Sequence, residues 1–200
     1  MTGLYARLGK RALDLAGAVL LLLLLTPLLA ALALAGRIAL GPGVLFRQPR
    51  LGRAARPFTL IKFRSMRDGT GPDAARLTRY GAWLRRTSLD ELPSLINVLR
   101  GEMSLVGPRP LLVADGPALL RLCPARFAVR PGLTGPVQVG GRNALPWAER
   151  LALDADYARA VTFRRDLALL LATPATLFSA EGIAAPGHAA GAPLAGESPP

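Results

Sequence analysis

The 200-residue chain holds one cysteine and one histidine. Cys123 alone excludes an internal disulfide framework and leaves no cysteine cluster for zinc, so it reads as a small buried apolar side chain. His188 lies in a tail of Ala, Gly and Pro, which leaves acid–base chemistry to carboxylates, arginines, hydroxyls or a bound metal. Aromatic residues make up only 6% of the chain, too few for a run of base-stacking platforms. Acids are also scarce: 13 Asp+Glu stand against 25 Lys+Arg, and a net charge of +12 implies an anionic partner, whether nucleic acid, acidic lipid or phosphorylated substrate. The dominance of Arg over Lys among abundant Ala, Gly and Pro matches a GC-rich genome. That explains the choice of cation but not its excess.

What the chain does have is apolar length. Residues 15–25 and 28–35 are uncharged and flank Thr26-Pro27. As one helix the block would measure about 31 Å, enough to cross a hydrocarbon core of about 30 Å. Pro27 cannot donate to the Leu23 carbonyl, so a bend is expected there, with the Thr26 hydroxyl as a local partner for freed backbone. Lys10 and Arg11 precede the block, and Arg37, Arg47, Arg50, Arg53 and Arg56 follow it. Cytoplasmic flanks collect such residues, so both ends ask for the same side. A re-entrant helix-break-helix and a kinked span both remain open on these grounds. A cleaved signal peptide fits less well, because the apolar part is long and no clean small-x-small site follows it.

Residues 1–37 are thus assigned to a membrane element, 38–182 to one catalytic-sized domain and 183–200 to a disordered tail. Val44-Leu45-Phe46 and residues 58–63 predict two short strands in a hairpin. Helices are predicted over 74–84, after Asp90-Glu91 (with Leu92, Leu95, Ile96 and Leu99 on one stripe and Gly101 as the stop), over 147–160 and over 166–178. The last is greasy on one face and suits a bilayer surface. Between Gly101 and Arg142 the chain is dense in Gly, Pro and Arg, a composition for rigid phosphate-binding loops. The expected class is α+β, mostly helical, with amphipathic surface helices.

Ser88-Leu89-Asp90-Glu91 has capping-box spacing, and acids in a first helical turn also suit the helix dipole. The same two carboxylates, close in sequence to Arg85, Arg86 and Arg100, could hold Mg²⁺ or attack phosphorus once cations neutralise the approaching diphosphate. Both readings are compatible. Arg50, Arg53, Arg56, Arg164 and Arg165 are assigned to an anionic membrane surface.

Five motifs occur in order: Lys62-Phe63-Arg64-Ser65-Met66, then Arg86-Thr87-Ser88-Leu89-Asp90-Glu91-Leu92-Pro93, then Met103-Ser104-Leu105-Val106-Gly107-Pro108-Arg109-Pro110, then Arg130-Pro131-Gly132-Leu133-Thr134-Gly135, and Gly141-Arg142-Asn143. Together they resemble the bacterial sugar transferase family, the monotopic phosphoglycosyl transferases, over roughly residues 7–182. The resemblance is to the small, single-domain form, and it favours the re-entrant topology on the cytoplasmic face of the bacterial inner membrane. Thr26-Pro27 stands where the family often has Ser-Pro. The resemblance implies transfer of a sugar-1-phosphate from a UDP-sugar to undecaprenyl phosphate with Mg²⁺, an EC 2.7.8-type reaction that begins glycoconjugate assembly. It implies Asp90 as nucleophile through an aspartyl-phosphosugar, Glu91 as its partner, both near the metal, and Arg85, Arg109 and Arg142 on phosphates or nucleotide. Guanidinium suits that role, being always charged and two-pronged. Lys62 and Arg64 are further candidates, ambiguous between solvated sheet edge and site support. Anionic lipids and a homodimer are expected partners; nucleic acid is not.

The rival class is a membrane-anchored basic nucleic-acid-binding module. It needs exposed aromatics or a recognition helix with base-reading side chains, and the stripe from Leu92 to Leu99 offers mostly leucines. A catalytically dead scaffold is a third reading, opposed by the presence of Asp90, Glu91 and all three motif arginines. The identity of the sugar is not legible in the chain.

Overall fold

The computed structural model describes residues 3–178, and its fold is α+β and mostly helical. A π-helical turn, Tyr5–Gly9, runs directly into α1, Lys10–Leu40, which is rich in the strong helix formers Leu and Ala. The helix continues through Pro27. Thr26 Oγ1 donates to the Leu22 carbonyl at 2.6 Å, so the expected break is a local loss inside a helix that otherwise runs on. Its last residue, Leu40, lies beyond the predicted boundary at 37, and Gly41 stops it with a φ of +80° that suits a residue without Cβ.

Both ends of α1 dock on the same globular body. Near the start, Ala18 is fully buried and Asp14 Oδ1 accepts from the Leu105 N–H and Ser104 Oγ, each at 2.9 Å. Near the end, Leu32 is buried against Phe63 and Leu84, and the Tyr80 hydroxyl donates to the Leu32 carbonyl at 2.7 Å. Gly36 admits the Tyr80 ring, since a Cβ there would meet its hydroxyl at 3.2 Å. Leu20, Leu23 and Leu24, between the docked ends, are more than half exposed.

The hairpin is β1, Leu45–Leu51, antiparallel to β2, Pro57–Phe63, with Leu45 opposite Phe63 and Leu51 opposite Pro57. The first strand is longer than predicted because Pro49, which lacks a donor, is tolerated at a sheet edge. The single helix predicted over 74–84 is two: α2, Asp73–Arg76, and α3, Arg79–Arg86. Thr78 separates them, in extended conformation, with its hydroxyl accepting the Gly81 N–H at 3.1 Å as an N-cap.

Leu89–Ser94 is a 3₁₀ turn, because Pro93 cannot give the bond to Leu89 that an α-helix would require, and α4, Leu95–Arg100, follows to a left-handed stop at Gly101. The Gly/Pro-rich stretch was expected to be loop. It instead holds a short parallel pair, β3, Ser104–Val106, and β4, Gly132–Thr134, with α5, Gly116–Leu122, between them. Then come α6, Pro136–Gly140, α7, Trp147–Arg159, and α8, Phe163–Phe178, which begins ahead of its predicted start at 166. Cys123 is buried as expected, among Leu51, Leu119, Phe127 and Trp147. The tail over 183–200, with His188, lies outside the described residues.

A polar knot ties α1 to this body. Asp166 is fully buried and accepts from Lys10 Nζ at 2.7 Å, from the Tyr5 hydroxyl at 2.5 Å and from the Tyr157 hydroxyl at 2.6 Å. Lys10 therefore belongs to the interior rather than to a lipid-facing flank, a correction to the charge-flank reading. Removing one partner of such a buried pair costs about 3–5 kcal/mol.

Candidate functional site

Asp90 and Glu91 lie in the 3₁₀ turn Leu89–Ser94, which the chain enters through Ser88 at φ +55°, a left-handed conformation that side chains with a Cβ rarely adopt. The capping-box reading is overturned. The Ser88 side chain caps nothing, and the Glu91 carboxylate turns instead to two cations. Its Oε1 receives Lys62 Nζ at 2.6 Å and Arg109 Nη2 at 2.8 Å, while Oε2 has a single 3.5 Å contact with Arg109 Nη1. Lys62 projects from β2; Arg109 follows β3, in a turn held by the Gly107 N–H to Thr134 carbonyl bond of 2.9 Å. Gly107 packs so tightly there that a Cβ would lie 2.4 Å from the Arg130 carbonyl.

Asp90 differs from its neighbour. It is 8% exposed, and among the described residues no donor hydrogen-bonds its carboxylate. Burial pushes its pKa up to about 6, opposed by Lys62 and reinforced by the Glu91 charge. Burial would raise Glu91 too, but Arg109 and Lys62 outweigh it and hold that carboxyl well below the usual range. Adjacent acids thus have opposite tendencies: Glu91 is held toward its ionised form by two cations, while burial pushes Asp90 toward its neutral form.

The arginines gather around this pair. Arg85 Nε donates to Ser65 Oγ at 2.9 Å, and its charge acts on Asp90. Arg109 keeps 42% of its side chain exposed, so an incoming anion can reach it. Arg142 sits at φ +56°, donates to the Thr176 carbonyl at 3.1 Å and has its pKa lowered by burial and by the charge of Arg109. Arg64 is used elsewhere. Its Nη2 reaches the Leu40 and Gly41 carbonyls at 2.5 and 3.2 Å and its Nη1 reaches Asp68 at 2.7 Å, closing the end of α1. Thr26 and Pro27 remain in the exposed middle of α1.

Arg50, assigned from sequence to the membrane surface, belongs here instead. It lines a shallow cleft with Lys62, Glu91, Ser94 and Arg109. Gln48 Oε1 accepts from both its Nε and Nη2, at 3.2 and 2.6 Å, and burial followed by the Arg109 charge lowers its pKa to about 10. The strand alternation was legible, but the bridge from Arg50 to Leu112 that draws β1 beside the Arg109 turn is long-range. Arg126 was also missed. Buried with Asp154 at 2.9 Å, it donates to the Arg109 carbonyl at 2.8 Å and so fixes that turn from behind.

Among the described residues no cluster of three or more His, Cys, Asp or Glu side chains forms a preformed metal cage. Mg²⁺ does not require one, since it commonly takes one or two carboxylates together with phosphate oxygens and water. The open Asp90 carboxylate and Glu91 Oε2 fit that donor set.

The sequence matches the bacterial sugar transferase family over residues 5–180. The chain belongs to that family. Within it, the chain is 41% identical over 185 residues to an uncharacterized sugar transferase, EpsL, of Bacillus subtilis, covering 90% of this chain and 92% of that one. It is 42% identical over 190 residues to a Caulobacter vibrioides UDP-glucose:undecaprenyl-phosphate glucose-1-phosphate transferase, covering 87% and 71%. It is also 46% identical over 186 residues to an undecaprenyl-phosphate glucose phosphotransferase of Komagataeibacter xylinus, 83% of this chain but only 35% of that longer protein. As a sugar transferase, the chain places its five sequence motifs on the elements that carry Lys62, Asp90, Arg109, the β4 strand and Arg142.

Proposed function

We propose that this protein is a phosphoglycosyl transferase that moves a sugar-1-phosphate from a UDP-sugar to undecaprenyl phosphate and releases UMP. The observation that carries the reading is the buried Asp90 carboxylate, without a donor among the described residues, beside a Glu91 that gathers Lys62 and Arg109. The names of the Caulobacter and Komagataeibacter relatives support the reaction class.

In the first step an Asp90 carboxylate oxygen attacks the β-phosphorus of the donor. The bond from that phosphorus to the bridging oxygen breaks, and UMP departs with the electron pair. A carboxylate stripped of solvation by burial is the stronger nucleophile, and at neutral pH Asp90 is mostly ionised. Arg109 and Lys62 shift from Glu91 toward the phosphate oxygens, with Arg50 and Arg142 adding charge against the leaving group. In the second step an oxygen of the lipid phosphate attacks the same phosphorus, the acyl-phosphate bond breaks, and Asp90 is restored. Mg²⁺ held by Asp90 and Glu91 would supply charge neutralisation for the diphosphate.

The site belongs at a cytoplasmic membrane face. Ala18 and Leu32, the flanking buried positions on α1, are 14 residues apart, about 21 Å of helix and short of a core of about 30 Å. Since both ends dock on one body, the exposed middle would rest in a single leaflet, bending at Pro27 within the continuous helix rather than crossing. This brings a soluble nucleotide and a lipid phosphate to one carboxylate, in the first membrane step of a surface glycan. The nucleic-acid reading is the weaker one, because Arg64, Arg109 and Arg126 are engaged within the protein.

A UMP-release assay of the purified protein with Mg²⁺ across a panel of UDP-sugars tests the proposal. With the right donor and no lipid, about one UMP per active site is expected, then continuous turnover on adding undecaprenyl phosphate. No release from any UDP-sugar would refute it.

A further inference from the structure

Two arginines outside the catalytic cleft, Arg11 and Arg130, converge without an ion-pair partner among the described residues, and the charge of a third, Arg53, acts on Arg130. Arg11 donates from Nη1 and Nη2 to the Val98 and Leu99 carbonyls at 2.7 and 3.0 Å, and Arg130 Nε donates to the Gly101 carbonyl at 2.7 Å. Both guanidiniums are therefore held at one spot, the C-terminal end of α4. Part of this serves the fold, since last-turn carbonyls need donors and the helix end favours cations. It leaves a surplus. Among the described residues, the terminal nitrogens of Arg130 and the whole guanidinium of Arg53 meet no acceptor. The nearby acids are committed elsewhere: Glu102 turns toward Asn97 Nδ2 at 2.6 Å, and Asp14 accepts from the Leu105 N–H and Ser104 Oγ. Arg11 and Arg53 are close enough to depress the pKa of Arg130, after burial itself.

Arg53 is carried on a hairpin tip in which Ala54 and Ala55 both adopt left-handed backbone, at φ +57° and +56°. Such strain persists only where surrounding structure imposes it, here through packing of the tip on Pro124–Ala128.

We propose that Arg11, Arg53 and Arg130 form a site for the phosphodiester headgroup of an anionic phospholipid, separate from the cleft lined by Lys62, Glu91 and Arg109. Apolar surface lies alongside: Leu8 and Leu15, three residues before and four after Arg11 on the same helical face, are 68% and 37% exposed. Phosphate against guanidinium and acyl chain against leucine is the complement an anionic phospholipid offers. On this proposal the phosphate bound here is distinct from the attacking one, the cluster standing at the far end of α4 from Asp90. Asp90 and Leu99 are nine residues apart along the 3₁₀ turn and α4, about 14–18 Å at 1.5–2.0 Å per residue. The inference rests on the membrane placement proposed above but not on the transfer reaction. Its consequence is that anionic lipid fixes the depth at which α1 enters the leaflet.

Native mass spectrometry of the full chain released from mixed nanodiscs of phosphatidylglycerol and phosphatidylcholine tests the proposal. Retention of phosphatidylglycerol over phosphatidylcholine is expected. It should weaken about fivefold in Arg53→Gln, an exposed side chain whose loss cannot unfold the protein, and further in Arg53→Gln/Arg130→Gln. Equal retention of the two lipids, or a preference unchanged in both variants, overturns it. So does displacement by millimolar inorganic phosphate, which would make this a free-phosphate site, or one-for-one displacement by undecaprenyl phosphate, which would make it an acceptor site. Because lipid retention is read without turnover, a protein that keeps phosphatidylglycerol but releases no UMP refutes only the transferase reading.

Discussion

Arg109 Nη2 stands 2.8 Å from Glu91 Oε1, and this contact holds a partly exposed guanidinium next to Asp90, the proposed nucleophile. Glu91→Gln removes the charge that gathers Arg109 and Lys62. Turnover should fall by at least about a hundredfold in UMP release, as for loss of a preorganised electrostatic group. Two like charges left facing each other should also lower stability by about 1–3 kcal/mol, less than for a fully buried pair because Arg109 is partly solvated. A drop in Tm of purified Glu91→Gln checks the second effect.

Asp90 predicts the opposite sign. Its folded pKa of about 6 lies above the ordinary value near 4, so the folded state holds this proton more tightly and the buried charge costs stability as pH rises. That cost accumulates between about pH 4 and pH 6 and is complete above, at about 3 kcal/mol. Asp90→Asn should therefore be inactive yet raise Tm at about pH 7.5 and leave it unchanged at about pH 4. In the wild type, kcat/KM should rise with pH through about 6, as the nucleophile ionises, while Glu91 stays charged throughout.

Arg50 is the cleft residue that composition hid. Its guanidinium spans Gln48 and the Pro110 carbonyl, a fork that lysine cannot reproduce. Arg50→Gln and Arg50→Lys should both raise KM for the UDP-sugar by about tenfold, the scale of one charged hydrogen bond, without loss of membrane association. Full activity in Arg50→Lys would return the residue to a general surface role.

For topology, single cysteines at Thr2→Cys and Ala39→Cys, in a Cys123→Ala background, should both react only with reagent on the cytoplasmic side. Periplasmic labelling of either one restores a membrane-spanning helix.

Local signals in the chain led to most of the fold. The leucine block, the hairpin, the Gly101 stop and the helix over Trp147–Arg159 follow from periodicity and punctuation. Motif order singled out Asp90, Glu91, Lys62, Arg85, Arg109 and Arg142, of which the structure brings Lys62 and Arg109 into contact with Glu91. Features governed by distant contacts were not legible. Ser88 looks like an N-cap until Glu91 is drawn to Lys62, 29 residues away in sequence. Lys10 looks like a membrane flank until Asp166 is placed beside it. Arg50 and Arg64 carry the same charge on one hairpin, yet their roles diverge because one strand end meets Pro110 and the other meets the end of α1. The β3–β4 pair is three residues long on each side, below the length at which alternation can signal a strand.

The most direct measurement is the mass of the tryptic peptide covering residues 87–100 from enzyme quenched in acid after mixing with its donor sugar nucleotide and no lipid. A phosphosugar on Asp90, absent from Asp90→Asn and discharged on adding undecaprenyl phosphate, is the predicted result. An unmodified peptide under conditions where UMP has been released would contradict the covalent route.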